Sequence, residues 1–206
     1  MDRNRLLNGV IDIHVHAGPS VASRELDAAD MLKEAEAAGY RGFLVKDHYF
    51  PSMMGCQMVQ RHLGNGSVQV FGSMCLNNAM GLFNLNAVDV AYGMGARMIY
   101  FPTVSSKNHI DAHKGHFAGA GKMTVPETPV VYVDEKGELD PAAVRVLEYM
   151  AEKDMAFPKA PKWVPCPPPC WRRCCGKCPT TGWFWIPTWG RRATALPWRR
   201  CTTSCA

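Results

Sequence analysis

Short apolar runs alternate with helix-like segments through the first three quarters of the chain. The run V-I-D-I-H-V at residues 10–15 is β-branched and largely apolar, as a strand covered on both faces by helices should be. Comparable strand-like runs follow at 41–46, 68–74 and 97–101. Helix-like segments lie between them, at 27–38, 52–63 and 85–94. This alternation predicts a parallel α/β fold with right-handed crossovers.

The alternation favours a (β/α)8, TIM-barrel-like fold of which the N-terminal half is present, with a doubly wound sheet as the alternative. Asp27 is suited to cap the first helix at its N-terminus, and Gly39 is suited to end it. A long loop at 102–129 and a hairpin-like segment at 130–139 follow the fourth strand. Asp140, which precedes a proline, predicts the start of a further helix. A fifth strand is then due.

The composition changes sharply at Phe157, where that strand should begin. All six Trp, seven of nine Cys and nine of fifteen Pro lie beyond this residue, and no Asp or Glu follows Asp154. Nine of the 23 Lys and Arg also lie there, so the net charge of +5 combines an acidic first part with a strongly basic tail. The overall charge is therefore no nucleic-acid signal for the whole protein, and no nucleic-acid partner is expected.

Three interpretations of the tail, residues 157–206, compete. Five cysteines have ligand-like spacing, which is compatible with a metal-binding module. They are Cys166, Cys170, Cys174, Cys175 and Cys178. The Trp and Arg content is compatible with a basic arm for nucleic acid or a membrane surface. The lack of acids and of apolar periodicity favours the third interpretation, an aberrant, frameshifted or disordered segment that follows a partial barrel at 1–156.

The strongest chemical signal is the pair His14 and His16 at the end of the first predicted strand. Side chains alternate across a strand, so both imidazoles point the same way at the carboxyl end of the sheet. Neutral imidazoles placed in this way can chelate one divalent metal ion such as Zn²⁺. Asp12 shares their face one pleat lower, where its carboxylate is suited to orient a ligand. The competing interpretation is a pair of solvent-facing histidines on a sheet edge.

The second signal is Lys46 and His48, which occupy the same position on the second predicted strand. Parallel strand ends meet at one edge, so we expect His48 near the first two histidines. His48 is a candidate third metal ligand or a catalytic group that polarises the substrate, and Lys46 is a candidate catalytic residue that neutralises an anionic substrate or intermediate. The alternative is a solvated strand end.

Weaker candidates follow the later strands. Asn77 and Asn78 come just after the third predicted strand and could hydrogen-bond a substrate, although Asn is also common in turns. The loop after the fourth strand holds further polar residues, namely Thr103, Ser105, Lys107, Asn108, His109, His113 and His116. His109 and His113 would share one face if that segment is helical.

The stretch I-D-I-H-V-H-A-G-P-S at 11–20 resembles the first-strand H-x-H of the amidohydrolase superfamily. With F-L-V-K-D-H-Y-F-P at 43–51 and Y-F-P-T at 100–103, residues 8 to 155 are similar to a poorly characterised bacterial and archaeal branch of that superfamily. The resemblance implies a (β/α)8-type barrel and hydrolysis by water that one or two divalent metals activate. It also implies that His14 and His16 are metal ligands.

The chain departs from that superfamily in three respects. No histidine follows His116 and no acid follows Asp154, so the histidines of strands five and six and the aspartate of strand eight have no counterpart. The fourth predicted strand, 97–101, also lacks the lysine that carries a carbamate in related enzymes. These departures predict weak or no activity for this chain.

The sequence therefore predicts a metal-dependent hydrolase that acts on a C–N or related bond of a small molecule, with zinc as the expected metal. The alternative is a non-catalytic metal- or nucleic-acid-binding protein in which the tail is the working part. The longest apolar runs fall far short of the roughly 20 residues of a membrane-spanning helix, and the N-terminus has no unbroken apolar stretch. A cytoplasmic protein is expected, and a homo-oligomer is compatible with the sequence.

Overall fold

The structure is a computed structural model, and it describes residues 6–114 and 120–157. The strands are β1 (Ile11–Val15), β2 (Gly42–Val45), β3 (Gln69–Gly72), β4 (Met74–Cys75) and β5 (Ile99–Tyr100). The helices are α1 (Ala28–Ala38), α2 (Met53–Leu63), α3 (Leu85–Gly93), α4 (Lys107–His113) and α5 (Pro141–Glu152), with a 3-10 turn at Asn78–Met80.

The strands pair in parallel, in two ladders. In the first, β2 lies between β1 and β3, so that Gly42 is opposite Ile11 on one side and Gln69 on the other. In the second, β4 pairs with β5, with Met74 opposite Ile99. The described strands form no closed barrel. The sequence prediction is therefore confirmed as a parallel α/β fold, and a TIM barrel is not shown.

The caps of α1 are those that the sequence predicts. The Asp27 carboxylate accepts hydrogen bonds from the backbone N–H groups of Ala29 and Asp30, at 2.8 and 2.9 Å. Gly39 ends the helix in the left-handed conformation with φ 76°, which its missing Cβ permits. Asp140 caps α5 similarly, through the N–H of Ala142 at 2.6 Å. The Asp27 cap therefore fixes the point at which the chain leaves the loop between β1 and α1.

A single predicted strand at 68–74 is in fact two short strands separated by Ser73. The hydroxyl groups of Ser52 and Ser73 both donate to the carbonyl of Val45, at 2.7 and 2.8 Å. The Ser73 N–H in turn donates to the Ser52 hydroxyl at 2.9 Å. These side-chain bonds take the place of strand pairing at this point, so β3 continues the first ladder and β4 starts the second. The predicted single strand was wrong because its apolar pattern carries no sign of this side-chain bonding.

Apolar side chains are buried on both sides of the strands. All four residues of β2 are buried, which explains its unbroken apolar sequence. One cluster packs β2 against α1 and α2; its largest members include Leu32, Phe43 and Val68. Another packs β4 and β5 against α3 and α5; it includes Met74, Val88, Ile99, Val146 and Met150. The helices therefore cover the strands but leave the strands' carboxyl ends open to polar residues.

The long predicted loop at 102–129 contains the helix α4. The hydroxyl of Ser106 caps this helix by accepting the His109 N–H at 3.3 Å. Serine is a common N-cap residue, so Ser106 was a sequence signal for the helix that the prediction of a loop did not use. The hairpin-like segment that follows is confirmed by an antiparallel bridge between Val133 and Leu139. After α5, Ala156 forms a parallel bridge with Met98 beside β5, which is where a fifth barrel strand was due.

The structure bears differently on the sequence interpretations of the tail and of membrane spans. The tail interpretations depend on the segment that begins at 157, and residues 158–206 lie outside the described part of the chain. Among the residues that are described, no helix has the length and apolar character needed to cross a membrane.

Gly72 and Gly55 offer a matched test of this packing. A Cβ at Gly72 would lie 2.4 Å from Met53 Cα, whereas a Cβ at Gly55, inside α2, would meet nothing within 4 Å. Gly72→Ala should therefore lower the free energy of unfolding by about 1–3 kcal/mol through overpacking. Gly55→Ala should raise it by about 0.5–1 kcal/mol through helix propensity. Urea denaturation measures both; equal stability of the two variants would contradict the packing of β3 against α2.

Candidate functional site

Four side chains from the carboxyl ends of β1 and β2 meet at one place. The Nε2 atoms of His14 and His16 are 3.2 Å apart. The Nζ of Lys46 lies 3.4 Å from the same nitrogen of His14. The ring of His48 lies against that of His16, with centroids 4.8 Å apart and an interplanar angle of 30°. These four residues, called the strand-end cluster below, converge as the strand positions predict.

Strand pairing brings the cluster together. The backbone N–H of Lys46 donates to the carbonyl of Val15 at 2.8 Å, which aligns the ends of the two strands. The β1–β2 register is irregular between Asp12 and Val15, and the Asp12 carboxylate accepts the His14 N–H there at 2.9 Å. Asp12 therefore holds the backbone of β1, and neither the His14 nor the His16 ring donates a hydrogen bond to its carboxylate.

Lys46 is a buried cation, with only 5% of the residue exposed. Its ammonium lies 4.5 Å above the centre of the Tyr100 ring, in cation–π geometry. The Tyr100 hydroxyl donates to the carbonyl of Ile13 at 2.9 Å, which fixes that ring beneath the lysine. None of the ion pairs among the described residues includes Lys46. The cluster therefore holds a positive charge that no carboxylate neutralises within the described part.

A buried asparagine braces His48. The Nδ1 of His48 lies 2.8 Å from the Thr103 hydroxyl. Asn77, which is fully buried, donates from its side-chain amide to that hydroxyl and to the His48 carbonyl, at 2.9 and 2.7 Å. Its amide oxygen accepts the N–H groups of Thr103 and Ser105, at 2.7 and 3.2 Å. Asn77 is therefore a structural clamp between the loops that follow β2, β4 and β5.

The surroundings disfavour protonation of the three imidazoles. Partial burial, followed by the charge of Lys46, lowers the pKa of His14 to about 4. Burial, then Lys46, then Arg24 lowers the pKa of His16. Burial, and after it the Lys46 charge, lowers the pKa of His48 to about 2. Burial also lowers the pKa of Lys46 itself. At neutral pH the three rings are accordingly neutral, the state in which imidazole binds metals.

Asn78 and Ser105, two of the weaker candidates, belong to a separate network around Glu127. The Ser105 hydroxyl donates to the Glu127 carboxylate, and the Asn78 amide donates to the same oxygen at 2.7 Å. The Asn78 N–H donates to the Ser105 hydroxyl at 2.9 Å. This network joins the turn after β4 to the loop before the hairpin. Nothing in the sequence pattern pointed to Glu127 as its acceptor.

The remaining weaker candidates lie on or near α4. His109 and His113 do share one face of this helix, with ring centroids 4.4 Å apart. Lys107 forms an exposed ion pair with Asp111 at 2.6 Å. Asn108 is exposed on the same helix. His116 lies outside the described residues. Electrostatic effects link α4 to the strand-end cluster: the Lys46 charge lowers the pKa of His109, after larger effects from burial and His113, and the charge of His109 contributes to the lowered pKa of His48.

Sequence reasoning missed Arg24 and Asp47, which lie beside the cluster. The Nη2 of Arg24 is 4.0 Å from Asp47 Oδ2, and both side chains are about nine-tenths buried. The charge of Arg24 contributes to the lowered pKa values of His16 and His48. Asp47 directly follows Lys46 in the sequence, so its position was a usable signal. Arg24 sits in an irregular loop, where no periodicity predicts which way a side chain points.

The described residues fit a metal ion in part. Two nitrogens on one tetrahedral Zn²⁺ are about 3.3 Å apart, close to the 3.2 Å between the Nε2 atoms of His14 and His16. The Nδ1 of His16 is buried without a hydrogen-bond partner, although the Lys46 backbone lies near this ring. Within residues 6–114 and 120–157, however, no three or more His, Cys, Asp or Glu side chains form a group that could hold a metal. The spacing of His14 and His16 is therefore compatible with two ligands on one ion.

Comparison with known proteins gives a family and no activity. The model of DUF6282, described as a family of unknown function, matches residues 9–159. The match includes the whole strand-end cluster and ends close to the change of composition at Phe157. Neither the curated proteins nor the solved structures contain a match.

The clamp formed by Asn77 can be tested with a nearly isosteric change. Asn77→Asp replaces two N–H donors by an oxygen that faces the His48 carbonyl, so a buried charge and an unsatisfied acceptor should lower the free energy of unfolding by about 3 kcal/mol or more. Asn86→Asp, at an exposed position in the first turn of α3, should be neutral or slightly stabilising. Chemical denaturation compares them; an unchanged stability for Asn77→Asp would refute the clamp.

Proposed function

This chain belongs to DUF6282, a family of unknown function, and we propose that it is a metal-dependent hydrolase of the amidohydrolase type. The proposed substrate is a small molecule with a hydrolysable C–N or related bond. His14 and His16 are the proposed metal ligands, and zinc is the proposed metal. His48 is retained as a candidate third ligand or catalytic group, and Lys46 as a catalytic residue.

The observation that carries the proposal is the 3.2 Å approach of two imidazole nitrogens at the carboxyl end of a parallel strand. Ligand sites of α/β proteins lie at this end of the strands. At this distance two neutral rings either share an Nε2–H···Nε2 hydrogen bond, if one ring carries its proton on Nε2, or bind one cation between their lone pairs. A divalent ion bound there would lower the pKa of a coordinated water and polarise the scissile bond.

The other cluster residues have complementary roles in this proposal. Lys46 holds its ammonium 3.4 Å from His14 Nε2, where it can stabilise negative charge that develops on the substrate. Burial strengthens this effect, because the lysine has little water around it to screen its charge. Thr103 orients the His48 ring through Nδ1. Tyr100 keeps the lysine in place through its fixed ring.

The alternative function, metal or nucleic-acid binding by the tail, depends on residues outside the described part. No observation on the described residues favours it. It stays a prediction. Metal analysis distinguishes it from the hydrolase proposal, because the tail would bind a metal through thiols and the cluster would bind it through imidazoles.

The two ligands can be tested by metal analysis of the full-length protein. His14→Ala and His16→Ala should each weaken zinc binding at the cluster by at least about 100-fold, since even outer-shell partners of a metal are worth about 10–100-fold. His62→Ala removes an exposed histidine at the end of α2 and should leave binding unchanged. Equilibrium dialysis with zinc quantification measures the affinities.

Cobalt(II) spectra serve as the control for the cysteine-rich tail. Thiolate ligands give intense near-ultraviolet charge-transfer bands that imidazole ligands lack, so a cluster site is recognised by visible bands without them. Unchanged zinc affinity in both cluster variants, or a cobalt spectrum dominated by thiolate bands in every variant, would exclude the proposed site.

Lys46 offers a test that separates a functional from a structural role. Lys46→Met keeps the length of the side chain and removes a buried charge whose desolvation costs several kcal/mol, more than the roughly 2 kcal/mol of a cation–π contact. The variant should unfold at the same or a higher urea concentration than the wild type. Lys153→Met removes an ammonium 5.4 Å above the Tyr149 ring at the surface and is the matched control, with no gain expected. Marked destabilisation of Lys46→Met would mean that the lysine serves the fold.

A further inference from the structure

A segment between α4 and α5 is attached to the loops that follow the strands. This segment, residues 121–128, is called the strap below. At its first end, the Gly121 N–H donates to the Tyr49 hydroxyl at 2.7 Å, and the Lys122 N–H donates to the Val21 carbonyl at 3.3 Å. Tyr49 belongs to the loop after β2, and Val21 belongs to the loop after β1. The strap therefore begins beside the ends of the two strands that carry the cluster.

The other end of the strap is attached to the loops after β4 and β5. The Glu127 carboxylate accepts hydrogen bonds from the Ser105 hydroxyl and from the Asn78 amide. The same amide donates to the Thr128 carbonyl at 2.9 Å. Because the strands are parallel, the loops that hold the two ends lie at the same end of the sheet. The strap therefore crosses the carboxyl ends of the strands, from the β1–β2 side to the β4–β5 side.

His48 lies between these two attachments. Its ring packs edge-on against that of Tyr49, which holds the first end, with centroids 6.2 Å apart. On the other side, Asn77 donates to the His48 carbonyl, and Asn77 directly precedes the Asn78 that holds the second end. His48 is partly buried, whereas His14 is exposed. The strap is thus placed to cover the His48 side of the cluster and to leave the His14 side open.

The two attachments differ in strength. Hydrogen bonds to a charged group are about twice as strong as those between neutral groups. The Glu127 end has two bonds to a carboxylate, whereas the Gly121 end has two bonds between neutral groups, of which one is 3.3 Å long. Between the ends, Met123 and Val125 are 46% and 72% exposed, so apolar burial adds little to hold the strap down. The Gly121 end is therefore the one that releases first.

Close packing also restricts the Gly121 end. A Cβ on Gly121 would lie 2.7 Å from a methyl carbon of Val21 and 2.9 Å from two carbons of the Tyr49 ring. A larger residue at this position would therefore hold the strap away from Tyr49 without any change to the tyrosine itself.

We propose that the strap is a lid over His48, which opens by releasing Gly121 from Tyr49 and so admits a ligand to this side of the cluster. Lids of this kind control access to a site and exclude water from it when closed. The inference rests on the proposed function only for the identity of the ligand as a substrate. The opening itself needs neither a metal nor hydrolysis.

Modification of histidines with diethyl pyrocarbonate tests the lid on the full-length protein after treatment with a chelator. The reagent acylates neutral imidazoles, and mass spectrometry gives the rate at each histidine separately. In the wild type, His48 should react more slowly than His14. Tyr49→Phe removes the hydroxyl that accepts from Gly121 and should accelerate the modification of His48 by about fivefold, the factor expected for one lost neutral hydrogen bond.

Gly121→Ala should accelerate the modification of His48 by at least as much, because its methyl group has no room beside Tyr49. It keeps the inference testable if Tyr49→Phe does not fold. Tyr40→Phe, in the turn between α1 and β2, and Gly93→Ala, where a Cβ would meet nothing within 4 Å, are the matched controls and should leave the rate at His48 unchanged. The rate at His14 should be the same in every variant.

The lid is overturned if His48 in the wild type reacts as fast as His14, or if its rate is unchanged in either strap variant that folds. Equal acceleration of His14 and His48 would also overturn it, because the fold would then loosen as a whole. A protein with this lid that binds no zinc through the cluster would retain the inference and lose the hydrolase proposal, and the reverse result would do the opposite.

Discussion

The parallel pairing of β1 with β2 is the constraint on which the candidate site depends. The hydrogen bond from the Lys46 N–H to the Val15 carbonyl ends both strands at the same level, so the residues that follow them emerge together. Because all four residues of β2 are buried, the strand cannot slide or turn without exposing apolar surface. The polar residues at its end are therefore held in a partly buried position by the apolar core behind them, and their low hydration follows from the same packing.

The helices, most of the strands and the four residues of the strand-end cluster could be predicted from the sequence. Local rules predicted the caps Asp27 and Gly39 and the alternation of strands and helices, since each depends on neighbours along the chain. The convergence of His14 with His16 followed from the two-residue period of a strand. That of Lys46 and His48 with them followed from the parallel order of strands, which is a property of the fold class. The spacing predicts that the side chains converge, and metal binding by them is a separate proposal.

What sequence reasoning missed depends on contacts between distant segments. The break at Ser73 arises because its hydroxyl bonds to Val45, 28 residues earlier. Asn77 looked like an ordinary turn residue, and its role as a clamp emerges only when the loops after β2 and β5 are brought to it. Arg24 lies eight residues beyond His16 in an irregular loop, and its burial against Asp47 depends on how that loop folds back. Hydrophobic periodicity describes faces of regular elements and carries no such information.

The buried charges around the cluster are costly to the stability of the fold. Removing Lys46 and Arg24 from water costs more free energy than one 4.0 Å ion pair and one cation–π contact provide. Apolar residues at these two positions would therefore give a more stable core. Asp47 balances the charge of Arg24, whereas the ammonium of Lys46 lies over the Tyr100 ring beside neutral imidazoles and forms no ion pair among the described residues. An anion bound beside Lys46 would reduce the cost of keeping that charge buried. In the proposed function, the same buried charge that lowers the stability of the fold orients a ligand at the strand ends.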